Sequence, residues 1–387
     1  MKNITLCSFL LLCLGSMPLW ALKGKDDDTP ENPKPMAAAA NPSTSQTTTP
    51  AVAKAAPREV VMIPPKTFIL DIQALTTLRS TAPKHAKKKE ALLEDAARTV
   101  KLQIGRTKCH PMFTDHVPQL MEPFKNVRSL CIDNIIVKDL PLLPCAEKLE
   151  SLVITFSGLE AIRNITRYTN LRTFQIRGTS LGIINQNSNQ TDRLAMLTQL
   201  HKLRQLNCSH FLTLDDRAPE DSALLIRILD NNPEIEDFTC AGGVATDVVQ
   251  ALATLPLRRL LLMSGEIDDD KFALLPFGTL EELRLHGTHT LTDLTPLQGS
   301  HLRVFHLHGQ ENLGDTQVIG SMPNLEELDL NCCHLTDAQA EPLLQLAQRL
   351  RHLNLDSSHP RLPRLSPEMC QSLKTAFGDK VSLKIWP

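Results

Sequence analysis

One six-residue pattern constrains this chain more than anything else in it. Segments with apolar residues at positions 1, 4 and 6 recur: "VRSLCI" begins at Val127, "LESLVI" at Leu149, "LRTFQI" at Leu171, "LRQLNC" at Leu203 and "IEDFTC" at Ile235. "LRRLLL" follows at Leu257, "LEELRL" at Leu280, "LRVFHL" at Leu302, "LEELDL" at Leu325 and "LRHLNL" at Leu350. Successive starts are 22, 22, 32, 32, 22, 23, 22, 23 and 25 residues apart. "TVKLQI" at Thr99 opens the series and "KVSLKI" at Lys380 closes it. Positions 4 and 6 share one face of a strand, because side chains alternate along it. Stacked copies then give a parallel sheet with an unbroken apolar row. One copy cannot bury that row alone, so its neighbours cover it. The 22-residue spacings leave room for a short helical turn or extended backbone. The 32-residue spacings admit real helices in "TDRLAMLTQLHK" and "APEDSALLIRILDN", which carry helical periodicity behind capping residues.

The repeated unit resembles that of the leucine-rich repeat family, L-x-x-L-x-L-x-x-N/C-x-L, over residues 99 to 387. The resemblance implies an α/β solenoid, a horseshoe with a parallel concave sheet and short helices or turns on its convex side. About ten to twelve strands are expected. It also implies a non-enzymatic scaffold with a protein ligand, no cofactor and no catalytic residue. Aromatic residues are only 4 % of the chain, so the core must be aliphatic.

The remaining chain divides by composition. Residues 1–21 read as a secretory signal: Lys2, the apolar run "ITLCSFLLLCL" and a small residue, Ala21, before the cut. Gly15, Ser16 and Pro18 interrupt that run, which favours cleavage over a retained anchor and implies no membrane insertion afterwards. Residues 22–59 are rich in Pro, Ala and Thr without apolar period, a linker. Residues 60–98 form an N-terminal cap whose "HAKKKEALLEDAARTV" predicts a helix, and "SPEMCQSLKTAFG" predicts a helix at the other end. The expected location is outside the cytoplasm: periplasmic, cell-surface or secreted.

"LDLNCCHLTD" at 328–337 places two cysteines beside a histidine. In the repeat register Cys333 occupies position 9, where the resembling family carries Asn or Cys to satisfy turn backbone. The "LTD" at 335–337, echoed at 291–293, resembles the cysteine-containing, F-box-type subclass of these repeats. No pair of cysteines has C-x2-4-C spacing, which argues against a zinc cluster of that kind. No domain surrounds Cys332 and His334 to exclude water, which argues against a catalytic pair. Cys208 and Cys240 both fall at position 6 of consecutive repeats, as buried thiols or, after export, a disulfide.

Lys+Arg is 41 and Asp+Glu is 43, a net charge of −2, so nothing global points to nucleic acid. "KHAKKKE" at 84–90 reads as the solvated face of the cap helix. The candidate ligand surface comes from positions 5 and 7, which face away from the core. In the C-terminal repeats these are Arg284 and His286, His306 and His308, Asp329 and Asn331, Asn354 and Asp356. The blander Leu261 and Met263 lie beside them, giving an apolar centre with a charged flank. The alternative is a metal-binding protein or metal-dependent enzyme in which His286, His306 and His308 converge on one ion. A plain polar row on an exposed sheet is the competing structural explanation.

Overall fold

In a computed structural model, the described residues are 66–70, 86–104, 112–113, 121–133, 135–155, 158–177, 195–209, 213–214, 219–263, 267–288, 291–310, 313–356 and 365–383. The expected signal segment and linker lie outside them, as does most of the stretch between Arg177 and Ala195.

The described strands, in chain order, are β1 Lys66–Leu70, β2 Thr99–Ile104, β3 Met112–Phe113, β4 Ser129–Asp133, β5 Ile135–Asp139, β6 Ser151–Thr155, β7 Gly158–Ala161, β8 Thr173–Arg177 and β9 Gln205–Asn207. They continue with β10 Thr213–Leu214, β11 Asp237–Gly242, β12 Arg259–Met263, β13 Glu282–His286, β14 Val304–His308, β15 Glu327–Asp329, β16 His352–Asn354 and β17 Val381–Ser382. The main sheet is parallel and 14-stranded, in the order β1-β2-β4-β6-β8-β9-β11-β12-β13-β14-β15-β16-β17, with β10 paired to β11. The expected ten to twelve strands are exceeded because β1 extends the sheet inside the N-terminal cap, and because β10 adds to β11. A second parallel sheet joins β3, β5 and β7. It follows the 22-residue repeats at the N-terminal end, where short extended segments replace helix.

The register is the one the leucine pattern requires. Leu283, Leu285, Phe305, Leu307, Leu328, Leu330 and Leu353 are fully buried, and Leu355 is 8 % exposed. Position 1 is buried throughout, from Val127 to Leu350. Position 2 links the turns: the N–H of Glu150 donates to Arg128 O, Arg172 to Glu150 O, Arg204 to Arg172 O, and so on to Arg351 on Glu326 O. One continuous hydrogen-bonded ribbon therefore crosses each repeat boundary from Arg128 to Arg351.

Buried polar side chains tie the irregular segments to this frame. Tyr168, the only tyrosine, is fully buried and donates from its hydroxyl to Pro141 O at 2.6 Å. Asn232 follows the helix Pro219–Asp230 and is 1 % exposed. Its amide donates to Leu200 O at 2.8 Å and Ile228 O at 2.7 Å, and its oxygen accepts from Leu203 N at 2.8 Å. This clamp joins the two 32-residue repeats. The N-terminal cap has the expected helix, Ala86–Arg98, and the C-terminal one spans Pro367–Phe377. Ser366 accepts from Met369 N at 3.1 Å, capping the latter in the usual way.

Candidate functional site

The strand pairings put the proposed ligand residues in two rows. Leu261 lies opposite Arg284, Arg284 opposite His306, His306 opposite Asp329, and Asp329 opposite Asn354. Met263 lies opposite His286, and His286 opposite His308. Asn331 and Asp356 hold the same place just beyond the ends of β15 and β16. All ten residues share one face of the sheet. All are half-buried except His306, which is buried at 6 % exposure.

That burial corrects the picture of a uniformly solvent-facing histidine row. Glu327, on the adjacent strand, accepts from His306 Nε2 at 2.9 Å. The His286 and His308 rings pack with centroids 4.2 Å apart. His306 and His308 are nearly parallel at 7°, with centroids 6.1 Å apart. His308 Nε2 approaches Asp329 Oδ1 at 3.1 Å without the alignment of a hydrogen bond. Burial, with the nearby His308 and His306 rings, pushes His286 down to about 3. Asp329 is held down at about 2: desolvation would raise it, but the adjacent His308 and His306 imidazoles and the Asn331 N–H outweigh that. Glu327 is held below the ordinary carboxylate range by its His306 contact.

The histidines do not converge as a trio. The potential ligand group is instead His306, His308 and Asp329, whose donor atoms lie within 4.8 Å of one another. His286 packs against this group, its ring tilted 46° to that of His308.

Several of the polar residues also have structural tasks that the sequence reading missed. Asp329 Oδ1 accepts from Asn331 N at 2.9 Å, and Asn354 Oδ1 from Asp356 N at 3.0 Å. Asn207 does the same for Ser209 N at 3.1 Å. These position-5 side chains compete with the sheet ladder, and β9, β15 and β16 end on them after three residues. Arg284 pairs with Glu282 on its own strand. Asp356 accepts from Ser382 Oγ at 3.0 Å, fastening the last strand.

The edge of the sheet carries a second pattern. Position 2 reads Arg128, Glu150, Arg172, Arg204, Glu236, Arg258, Glu281, Arg303, Glu326 and Arg351. Ion pairs link Arg128 to Glu150 at 2.8 Å, Arg303 to Glu326 at 2.8 Å and Arg351 to Glu326 at 3.2 Å. Arg258 pairs with Glu281. The alternation fails once, at Arg172 and Arg204. There Arg172, Lys148 and Lys202 line a shallow cleft of about 310 Å³. Only the acidic members Glu281 and Glu326 stand out in a reading of the C-terminal repeats; the full alternation needs all ten copies aligned.

Cys333 is buried at 5 % and its thiol donates to Leu307 O at 3.0 Å, a turn role. Burial pushes that thiol up to about 12. Cys332, before it, has a left-handed φ of 58°. Cys208 and Cys240 are buried side by side as free thiols. Cys131, at position 5 of the repeat that begins at Val127, is half-buried.

Repeat register, parallel sheet and short connecting helices together define a leucine-rich-repeat solenoid. No family model matches the chain, and no curated protein matches it. Solved structures do. An internalin of Listeria monocytogenes shares 18 % identity over 69 % of this chain and 82 % of its own, with a TM-score of 0.41. The Rad7 and Elc1 complex of yeast matches at 16 % identity over 74 % and 75 %, TM-score 0.49. The leucine-rich repeat domain of the type III effector XopL matches at 16 % over 81 % and 87 %, TM-score 0.30. The likeness is one of fold.

Proposed function

We propose that this protein is an exported, non-enzymatic interaction scaffold that binds a protein partner on the concave face of its C-terminal strands. The supporting observation is the register itself. Leu261 and Met263 sit directly beside Arg284 and His286, and these beside His306 and His308. Half-buried apolar side chains thus adjoin a dense group of polar ones on a rigid sheet, the composition of a protein interface. Sheet positions fix these side chains before binding, so little ordering remains to be done on association. No helix among the described residues is long and apolar enough to cross a membrane. The export assignment rests on the sequence of residues 1–21.

Substitution tests the surface. Leu261→Asp and Arg284→Ala should each weaken partner binding tenfold or more, on the order of 1.4 kcal/mol, with unfolding nearly unchanged. Gln250→Ala, on the exposed face of the helix Thr246–Ala253, should leave binding as it was. Unchanged affinity in both concave variants would remove the assignment.

A further inference from the structure

We propose that His306, His308 and Asp329 form a site for a divalent transition-metal ion of the zinc class. One donor atom from each lies within 4.8 Å of the other two. Ligands around zinc at about 2.0–2.1 Å stand roughly 3.4 Å apart, so side-chain adjustments of about 1 Å would close the group on an ion. The backbone places the donors. His306 and His308 are two apart on β14 and so share a face, and His306 lies opposite Asp329 across the β14–β15 pairing.

The surroundings supply what ligands need beyond themselves. His306 Nε2 meets the Glu327 carboxylate at 2.9 Å, so that nitrogen carries the proton. In the neutral ring Nδ1 then keeps the lone pair, and a carboxylate fixing a histidine tautomer in this way is the common outer partner of a ligating imidazole. Asp329 is held in place by Asn331 N–H at 2.9 Å. His286 packs on the His308 ring at 4.2 Å and limits its rotation. Arg284 is the nearest cation on the facing strand, and Glu282 holds it.

His308 Nε2 is the atom that asks for an ion. It is buried without a hydrogen bond, yet only 3.1 Å from Asp329 Oδ1. A buried polar atom without an aligned hydrogen bond is a cost that native proteins rarely leave standing. A carboxylate beside imidazole nitrogens suits a borderline cation. Two nitrogens and one oxygen are three ligands, leaving a fourth position for water or for a donor from a docked partner. The inference does not depend on the protein-binding reading: the ion needs only these three side chains.

Zinc titration of the chelator-treated full chain by calorimetry tests this, with thermal unfolding as a second readout. One zinc per chain is expected, with an unfolding temperature that rises on loading. His306→Ala and Asp329→Asn should weaken binding about a hundredfold or more, and Glu327→Ala at least about tenfold. His201→Ala, at an exposed position, should change nothing. Cobalt substitution should give visible d–d bands without a thiolate charge-transfer band, which separates this site from the free cysteines. His308→Gln, close in shape, should lose the ion while keeping the circular dichroism of the parent. Absence of stoichiometric zinc binding at about 100 µM, which means a Kd weaker than roughly that value, would overturn the proposal. So would a His306→Ala/His308→Ala variant that is folded and binds as the parent does.

Discussion

The thiol of Cys333 donates to the carbonyl oxygen of Leu307, 3.0 Å away in the preceding repeat. The contact explains why a cysteine fills position 9: a small donor must reach one repeat back from a site that is 5 % exposed. Cys333→Asn supplies an amide donor and should cost under about 1 kcal/mol. Cys333→Leu leaves the Leu307 carbonyl unpaired and overfills the turn, and should cost about 2–4 kcal/mol in chemical denaturation.

Cys332 occupies a slot that favours glycine. Position 8 is left-handed at Gly242 (φ 98°), Gly287 (78°), Gly309 (80°) and Cys332 (58°). A side chain there costs about 1–2 kcal/mol relative to a right-handed backbone, less what glycine loses in unfolded-state entropy. Cys332→Gly should therefore raise stability by about 0.5–1 kcal/mol. Cys332→Val should lower it, since β-branching is worst at positive φ. Urea midpoints of the two variants measure the difference.

Asn232 bridges the two long repeats with three buried hydrogen bonds. Asn232→Ala leaves Leu203 N, Leu200 O and Ile228 O without that partner. A loss of about 2–4 kcal/mol is expected, with a denaturant slope that falls if the long repeats then unfold separately.

The alternating edge charges predict a salt-dependent effect. Each pair is largely exposed, so a single one contributes at most about 1 kcal/mol. Arg303→Glu would place a third carboxylate between Glu281 and Glu326, one repeat away on either side. It should destabilise by about 1–2 kcal/mol in low salt and by about half of that in molar salt. Arg351→Ala, at the more exposed end of the ladder, should cost under about 0.5 kcal/mol.

The sheet was legible because positions 1, 4 and 6 answer to a single demand, burial against the next copy. That demand is local and repeats, so Leu283, Leu285, Phe305 and Leu307 could be placed without coordinates. The side sheet β3-β5-β7 could not be, since strands such as Met112–Phe113 carry no period. β1 was missed because Pro65 stands where the pattern wants a leucine at position 1, although Phe68 and Leu70 pair with Leu102 and Ile104 at a spacing of 34 residues. The ten surface residues fell on one face as expected, because alternation along a strand decides that. What they do to one another was hidden. His306 is hydrogen-bonded to Glu327 on the next strand, and Asp329 accepts from Asn331 N. Both depend on which polar side chains meet across the sheet, which an apolar pattern does not encode. The left-handed position 8 was readable in principle: Gly242, Gly287 and Gly309 align in the repeat register.

The central claim is that partners dock on the concave face of β12 to β16. Site-specific photo-crosslinking tests it most directly. A benzophenone side chain is placed singly at Arg284, His308 and Asn354 on that face, and at Gln250 and Gln298 among exposed positions away from it. Each variant is irradiated in its native cells, with excess untagged protein as competitor. The account predicts one protein adduct shared by the three concave positions, suppressed by the competitor and abolished by Leu261→Asp. Adducts confined to Gln250 and Gln298, or equal at all five positions and indifferent to Leu261→Asp, would contradict it.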